Sequence, residues 1–199
     1  GEPFIFNFLQ IRPIVDTDQS SVVDMENIKS EDAILYSESA LGNGEFKGIR
    51  DLVYVKPCSW DAAKSKEIAV RMEAINVKFA ALKKVDHISG GEFEIEEAGG
   101  DAGAKETEEI AGLGYVLVGP GRWGSSDPWL GIPVTWAQIS EARLIVESGL
   151  ENYRIDPSQG THFFQNLTSF RVGYMTINPF IGDGSYDPEY LDSLPAVYE

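Results

Sequence analysis

The amino-acid sequence predicts an α/β fold, and three observations indicate it. Strand-like apolar runs alternate with short helical segments from residue 115 onward, which is typical of layered α/β proteins. Residues 60–84 carry the periodicity of one long amphipathic helix. Hydrophobic residues make up 43% of the 199 positions, which is enough for a packed core in one large domain, or one domain with short additions.

Charge and cysteine content narrow the partners and the compartment. The chain has 16 basic and 32 acidic residues, a net charge of -16. Such a surface repels nucleic acid and anionic membranes, so we expect neither as a partner. An anionic ligand must then be bound locally, by a few arginines or by backbone N–H groups. The single cysteine, Cys58, excludes an intramolecular disulfide and a multi-cysteine metal cluster, and it indicates a reducing, cytoplasmic compartment.

The first part of the chain predicts an edge strand, a linker and two further strands. Residues 3–15 have strand composition, and Pro13 places the end of that strand at a sheet edge. The polar, acidic residues 16–31 predict a linker and a domain boundary. Because the chain opens without an initiator Met and directly in a strand, we expect a piece of a longer protein without a signal peptide. Residues 33–36 and 48–55, joined by a glycine-rich link, predict a hairpin or a small barrel-like sheet.

A long helix and an acidic insertion are predicted for the middle of the chain. Apolar residues recur every three or four positions within residues 60–84 and form one stripe, namely Ile68, Met72, Ile75, Phe79 and Leu82. Glycines alternate with acidic residues from 86 to 113, which predicts a flexible acidic insertion. His87 lies at its start, without another histidine or cysteine near it in the sequence, and we interpret it as incidental.

The last part of the chain predicts strands and helices in alternation. Strands are predicted at residues 115–118, 143–147 and 172–177, with a short helix near residues 136–141. Residues 179–199, which combine prolines with acidic residues, predict a tail or linker.

His162 is the first candidate site residue. It ends a loop and opens a short helix, and Ser158 or Thr161 is placed to cap that helix. The histidine is therefore expected among free backbone N–H groups at the positive end of the helix dipole, which suits a phosphate group. A neutral imidazole is also a competent nucleophile near neutral pH. The alternative is a histidine that caps the helix or packs in the core.

The glycine-rich residues 119–124 (Gly-Pro-Gly-Arg-Trp-Gly) form the second candidate motif. They match the dinucleotide-binding pattern after a strand, and Glu147 ends the next strand where that pattern places an acidic residue. The pattern also needs a helix that begins within the glycines, and Pro128 and Pro133 stand where it should run. Dinucleotide binding at residues 119–124 is therefore the weaker alternative.

Two other interpretations of the same motif remain open. One is a tight structural loop held by Trp123 and Trp129. The other is an anion-binding loop in which Gly121 supplies a backbone N–H group and Arg122 a positive charge. Arg122 or Arg143 would neutralise a phosphate at His162 if the fold brings either of them close.

The order of these segments resembles the phosphoenolpyruvate synthase and pyruvate phosphate dikinase family, in a divergent bacterial branch. The ending Gln10-Ile-Arg12-Pro13 is similar to the end of the family's ATP-grasp nucleotide domain. The segments after it follow the order of the family's mobile phosphohistidine domain, a swivelling β/β/α fold. They are the strand, glycine turn and strand at 34–55, the strand at 115–118, Asp127-Pro128, the strand ending at Glu147, the turn before His162, and the strand at 172–177.

The resemblance implies a domain layout. Residues 1–15 would end the ATP-grasp, pyruvate/phosphoenolpyruvate-binding domain, and residues 16–31 would be a linker. Residues 32–178 would form the phosphohistidine-like swivelling domain, with an insertion at about 60–113, and residues 179–199 would be a tail.

The resemblance also implies a function, in which His162 relays a phosphoryl group from ATP toward pyruvate. Gly160 and Thr161 would bind the phosphate beside the histidine, and Gln10 and Arg12 would lie at the nucleotide. Gly121 and Arg122 of the glycine-rich loop are the other phosphate-binding candidates. ATP and Mg²⁺ would be cofactors of the parent protein, with no metal site in this chain, which would not be active alone. Its partners would be the neighbouring ATP-grasp domain and a small molecule such as pyruvate or phosphoenolpyruvate.

Two features depart from the family pattern. Phe163 and Phe164 follow the histidine where the family has two small residues, and Gly160 stands where the family has a threonine. The alternative to phosphotransfer is a non-catalytic, divergent domain of the same fold that acts as a structural or interaction module.

Overall fold

The computed structural model describes residues 33–41, 46, 49–89, 114–151, 153–157 and 162–196. Within them it has nine β-strands, and these are β1 Leu35–Tyr36, β2 Ser39–Leu41, β3 Asp51–Tyr54, β4 Tyr115–Pro120, β5 Arg122–Trp123, β6 Gly131–Ile132, β7 Ala142–Ser148, β8 Gly173–Ile177 and β9 Ser185–Tyr186. The α-helices of the described residues are α1 Ser65–Ser89, α2 His162–Ser169 and α3 Pro188–Ser193. The linker predicted at 16–31 and most of the acidic insertion lie outside these residues.

A five-stranded mixed sheet is the centre of the fold, in the order β2-β8-β7-β4-β3. The four strands β3, β4, β7 and β8 run parallel, and β2 pairs antiparallel with β8 at one edge. The predicted α/β class is therefore confirmed at this level. Because the parallel strands end at the same side of the sheet, Pro120, Ser148 and Ile177 stand in register there. We call this side the carboxyl edge.

The two faces of the sheet are covered by different elements. Leu117, Ile145 and Tyr174 point to the face that packs against α1 and α2, and this face holds the larger core cluster. The opposite face presents a smaller cluster around Val118 and Val146, against which the β1–β9 ribbon packs. Alternation of side chains along each strand produces this division.

The hairpin predicted at residues 33–55 is wrong. The two predicted strands correspond to β1 and β3, and β1 pairs with β9 in a separate two-stranded ribbon. β3 instead pairs with β4, which follows it after α1, because a strand–helix–strand unit places its two strands side by side in parallel.

The predicted amphipathic helix is present with different limits. It begins at Ser65, because residues 57–59 and 62–64 form two 3₁₀ turns, the second capped by the Asp61 side chain. Met72 and Phe79 are buried as the stripe predicts, but Leu82 is 51% exposed. Among residues 65–82, the part of the helix whose side-chain burial is described, Phe79 is the last buried residue.

The region predicted as a tail or linker contains regular structure up to Ser193. β9 pairs with β1, and α3 follows it with Leu191 buried. The prolines that suggested a linker occupy the first turns of helical segments, at Pro179 and Pro188. Proline is tolerated there because the N–H group it lacks would have had no partner within the helix.

Asn76 joins α1 to the rest of the core. Its side-chain Nδ2 donates to the Ala137 carbonyl (3.2 Å) and to the Ser140 hydroxyl (3.1 Å). Its Oδ1 accepts from the Tyr115 hydroxyl (3.0 Å) and from the Glu141 backbone N–H (2.9 Å). One buried amide thus satisfies polar groups from β4 and from the segment that precedes β7.

Asn76→Ala should lower the free energy of unfolding by about 1–3 kcal/mol, because buried donors and acceptors lose their partner. Val77→Ala is the matched control, since Val77 is 61% exposed on the same helix and should cost less than about 0.5 kcal/mol. Urea denaturation followed by circular dichroism measures both changes. Equal stability of the two variants would contradict the structural role of Asn76.

Candidate functional site

The glycine-rich loop lies at the carboxyl edge, directly after β4. Gly121 and Gly124 have positive φ angles, of 74° and 79°. A Cβ on Gly121 would lie 2.6 Å from the Leu130 carbonyl oxygen, so both space and backbone conformation require glycine there. The Gly121 N–H donates to the Ser148 carbonyl (2.8 Å), which ties the start of the loop to the end of β7.

The loop lacks the geometry of a dinucleotide motif. Arg122–Trp123 is the short strand β5, which pairs with β6, and the next helical turn of the described residues is Trp136–Gln138. A helix that begins within residues 119–124 is therefore not formed, and its N-terminus is not available to a pyrophosphate. The interpretation as a structural loop held by two tryptophans is confirmed for Trp123 and wrong for Trp129. Trp123 is buried and donates through Nε1 to the Val146 carbonyl (3.1 Å), whereas Trp129 is 74% exposed.

Glu147 is a buried carboxyl group beneath this loop. Its Oε1 accepts from the Trp123 backbone N–H (2.8 Å), and its Oε2 accepts from the Tyr174 hydroxyl (2.6 Å). Burial raises the pKa of Glu147 to about 7, although the Tyr174 bond, the Trp123 bond and the charge of Arg122 each lower it. The acidic residue that would bind a ribose in a dinucleotide site is engaged here with the loop itself.

Arg122 extends from the loop toward the segment that precedes α2. Its Nη2 donates to the Asp156 carbonyl (3.3 Å), and its guanidinium carbon lies 5.9 Å from the centre of the Tyr153 ring. Its Nε is shielded from solvent and finds no acceptor among the described residues. The guanidinium therefore keeps one donor, Nε, without an acceptor among the described residues, and this donor is the feature that points to an anion.

Asn178, at the end of β8, fixes the segment that Arg122 touches. Its Oδ1 accepts from the Ile155 N–H (2.8 Å), and its Nδ2 donates to the Ile155 carbonyl (3.0 Å). Gly149 leaves room for this contact, because a Cβ there would lie 2.4 Å from the Asn178 Oδ1. The Asp156 carbonyl is thereby held at a defined place beside Arg122.

The helix that begins at His162 packs against the glycine-rich loop. A Cβ on Gly124 would lie 2.9 Å from Phe163 Cδ2, so the loop and the first turn of α2 are in direct contact. Phe163 is half-buried, belongs to the margin of the core and meets the Trp136 ring edge to face at 6.4 Å. The structure therefore brings the Arg122 loop and the start of α2 together, two segments that the sequence separates by about a strand and a long loop.

The other sequence-predicted residues fall in three groups. Gln10, Arg12, Gly160 and Thr161 lie outside the described residues. Gly121 and Arg122 lie at the site, but the Gly121 N–H donates to the Ser148 carbonyl and is not available to an anion, contrary to its predicted role. Arg143 does not lie at the site, because it stands near the amino end of β7, at the side of the sheet opposite to the carboxyl edge, where a Cβ on Gly114 would meet it.

Sequence reasoning missed Tyr153 and Tyr174 and gave Glu147 a different role. A signal for Glu147 exists, because it follows the apolar run 144–146 of a strand that is buried in a parallel sheet. A carboxyl group is rarely buried without a hydrogen-bond partner, so its position indicates a polar contact inside the fold.

Comparisons with models of protein families, with curated proteins and with solved structures found no match to this chain. The described part of the chain holds no group of three or more His, Cys, Asp or Glu side chains that could bind a metal ion. None of its helices is long and apolar enough to cross a membrane.

Glu147→Gln should change how stability depends on pH. A carboxyl group whose pKa rises on folding, here from 4.5 to about 7, stabilises the folded chain below pH 4.5, and this contribution is lost as the pH rises through 7. The loss for the wild type amounts to about 3 kcal/mol, and the neutral glutamine should remove most of it. Thermal and urea unfolding between pH 4.5 and 8 measure the difference between the two proteins.

The matched control is Glu151→Gln, which removes one negative charge from an exposed position near the same edge. A parallel course of the wild-type and Glu147→Gln stability curves over this pH range would show that Glu147 is not protonated on folding.

Proposed function

We propose that this chain is a phosphohistidine-type swivelling β/β/α domain of a phosphoenolpyruvate synthase-like protein, which carries a phosphoryl group on His162 from ATP toward pyruvate. The observation that supports this most strongly is the contact between the Arg122 loop and the N-terminal turn of α2. The Arg122 side chain also donates to the Asp156 carbonyl, which supports a local positive charge in a chain whose net charge of -16 otherwise repels phosphate.

The fold is consistent with this assignment at a coarse level. The central sheet is mostly parallel, helices cover one face, and a small antiparallel ribbon packs on the other. This arrangement supports the β/β/α layering that the resemblance implies. The carboxyl edge of the parallel strands is also where ligands bind in open α/β sheets.

The phosphoryl group would be transferred in two steps, first from ATP to His162 and then from His162 to pyruvate. An imidazole nitrogen of His162 attacks the phosphorus atom of the donor, a P–N bond forms, and the P–O bond to the nucleotide breaks. Pyruvate would lose a methyl proton to a base of the neighbouring domain that binds it. Its enolate oxygen then attacks the same phosphorus atom and the P–N bond breaks, which restores the imidazole and releases phosphoenolpyruvate. Arg122 would stabilise the charge on the equatorial phosphoryl oxygens, and backbone N–H groups at the start of α2 would bind them. ATP, with its Mg²⁺, and pyruvate would be bound by the neighbouring domains of the parent protein.

A non-catalytic interaction module is the alternative. The observation in its favour is the exposure of large apolar side chains, among them Trp129 at 74% and Phe180 at 61%, near the same edge. Such side chains would also serve a mobile domain that docks on its neighbours, so the labelling experiment decides between the two functions.

The full-length protein should acquire an acid-labile, base-stable phosphoryl group on His162. The protein is incubated in separate reactions with ATP labelled at its β- or γ-phosphoryl group and with labelled phosphoenolpyruvate, and the label is located by mass spectrometry. His162→Ala should abolish it. His87→Ala is the matched control, because the sequence has two histidines.

Arg122→Gln should slow the labelling by about 100-fold, because a charge that stabilises the transferring group is removed, whereas Arg122→Lys should retain part of the rate. Absence of label from every donor, or equal label in the His162→Ala variant, would leave the interaction module as the function.

A further inference from the structure

Three hydrogen bonds join the glycine-rich loop to β7, and their donors, Gly121 and Trp123, are the residues on either side of Arg122. Gly121 donates to the Ser148 carbonyl (2.8 Å), and Trp123 donates through its indole to the Val146 carbonyl (3.1 Å). The third bond runs from the Trp123 backbone N–H to the Glu147 carboxyl group (2.8 Å). Two of the three acceptors are backbone carbonyls, which do not titrate. The Glu147 carboxyl group is therefore the only one of the three acceptors whose charge can change with pH.

Few groups act on the charge of Glu147. From β5, Arg122 attracts it, and from β8, Tyr174 donates a hydrogen bond to it. Thr176 stands opposite in register, with a buried hydroxyl that has no partner among the described residues, and Gly119 on the β4 side brings no side chain. Arg122 is therefore the formal cation that acts on Glu147 in the described part of the chain.

We propose that Glu147 is a positioning residue whose proton controls the anion affinity of Arg122. With the carboxyl group neutral, the guanidinium charge is available to an anion at the edge of the sheet. When the proton leaves, the buried carboxylate attracts the guanidinium and repels the anion. Anion binding and proton uptake at Glu147 are thus linked, and each favours the other.

The ligand is a tetrahedral dianion, such as a phosphoryl group, and its affinity falls as the pH rises through neutrality. The raised pKa of Glu147, about 7, places the transition in that range. The inference rests on the proposed phosphoryl chemistry for its biological meaning, but the binding that it describes is measurable without any transfer reaction.

Sulfate is the appropriate probe, because it stays a dianion throughout this pH range, whereas phosphate titrates. The measurements use the full-length protein with His162→Ala as background, since an ordinary imidazole titrates near ~6.5 and would add its own pH dependence. Selective ¹⁵N labelling of the tryptophans, of which the chain has four, reports on the Trp123 amide that bonds to Glu147.

The Kd for sulfate should rise about five- to tenfold between pH 6 and 8, the size of a typical coupling between two sites. Glu147→Gln should bind sulfate with a Kd that stays nearly constant over the same range. Arg122→Gln should bind weakly at both values. Sulfate should also move the titration of the Trp123 amide to higher pH, and Arg122→Gln should abolish that shift.

Tyr174→Phe keeps the proposal testable if Glu147→Gln does not fold. It removes a hydrogen bond that lowers the pKa of Glu147, so the midpoint of the sulfate profile should move to higher pH. A sulfate Kd with the same pH dependence in the background protein and in the Glu147→Gln or Tyr174→Phe variant would overturn the proposal. Failure of the proposed function would be seen in a different measurement, as the absence of label on His162 in the wild type.

Discussion

The buried carboxyl group of Glu147 is the interaction on which the candidate site depends. A carboxyl group inside a parallel sheet is destabilising unless it is protonated or well bonded, and here it is bonded to both the Trp123 amide and the Tyr174 hydroxyl. These bonds hold the glycine-rich loop on the end of β7, and through the loop they fix the origin of the Arg122 side chain. Replacing the carboxyl group by an alkyl chain would leave the Trp123 amide and the Tyr174 hydroxyl buried without an acceptor. The two hydrogen bonds therefore contribute both to the stability of the core and to the position of the glycine-rich loop.

The parallel sheet provides the second constraint. β4, β7 and β8 end in register, so the segments that follow them must meet at the carboxyl edge. The close contacts there rely on small residues. Gly119 accommodates the Trp123 ring, Gly149 accommodates the Asn178 side chain, and a Cβ at either position would come within 2.4 Å of its neighbour. The loop after β7 is in turn held by Asn178 at Ile155, which keeps the Asp156 carbonyl beside Arg122.

Local patterns predicted the long helix and the main strands of the sheet, but not the pairing of the strands, nor β9 and α3 in the region predicted as a tail. The runs at 115–118, 143–147 and 172–177 correspond to β4, β7 and β8, because apolar, β-branched residues specify strands over a few positions. The hairpin at 33–55 is wrong because β3 finds its partner beyond α1 and an insertion, and sequence distance does not encode that choice. The approach of the glycine-rich loop to the start of α2 could be suspected from the alternation of strand and helix. The hydrogen bonds of Glu147 and the contact of Arg122 with the Tyr153 ring could not be predicted. They join residues whose spacing in the sequence follows no helical or strand period.

The aromatic residue after His162 has a structural explanation at this edge. In the family that the sequence resembles, two small residues follow the histidine, and in this chain Phe163 is the first of the replacements. Its ring lies on Gly124, where any side chain would collide with it, and against the edge of Trp136. A small residue at position 163 would leave a space between α2 and the loop, so the phenylalanine and the glycine complement each other. The larger residue thus packs toward the core margin and the loop that carries Arg122. The departure at position 163 is therefore compensated within the fold, and by itself it is no argument against a phosphoryl group at the start of α2.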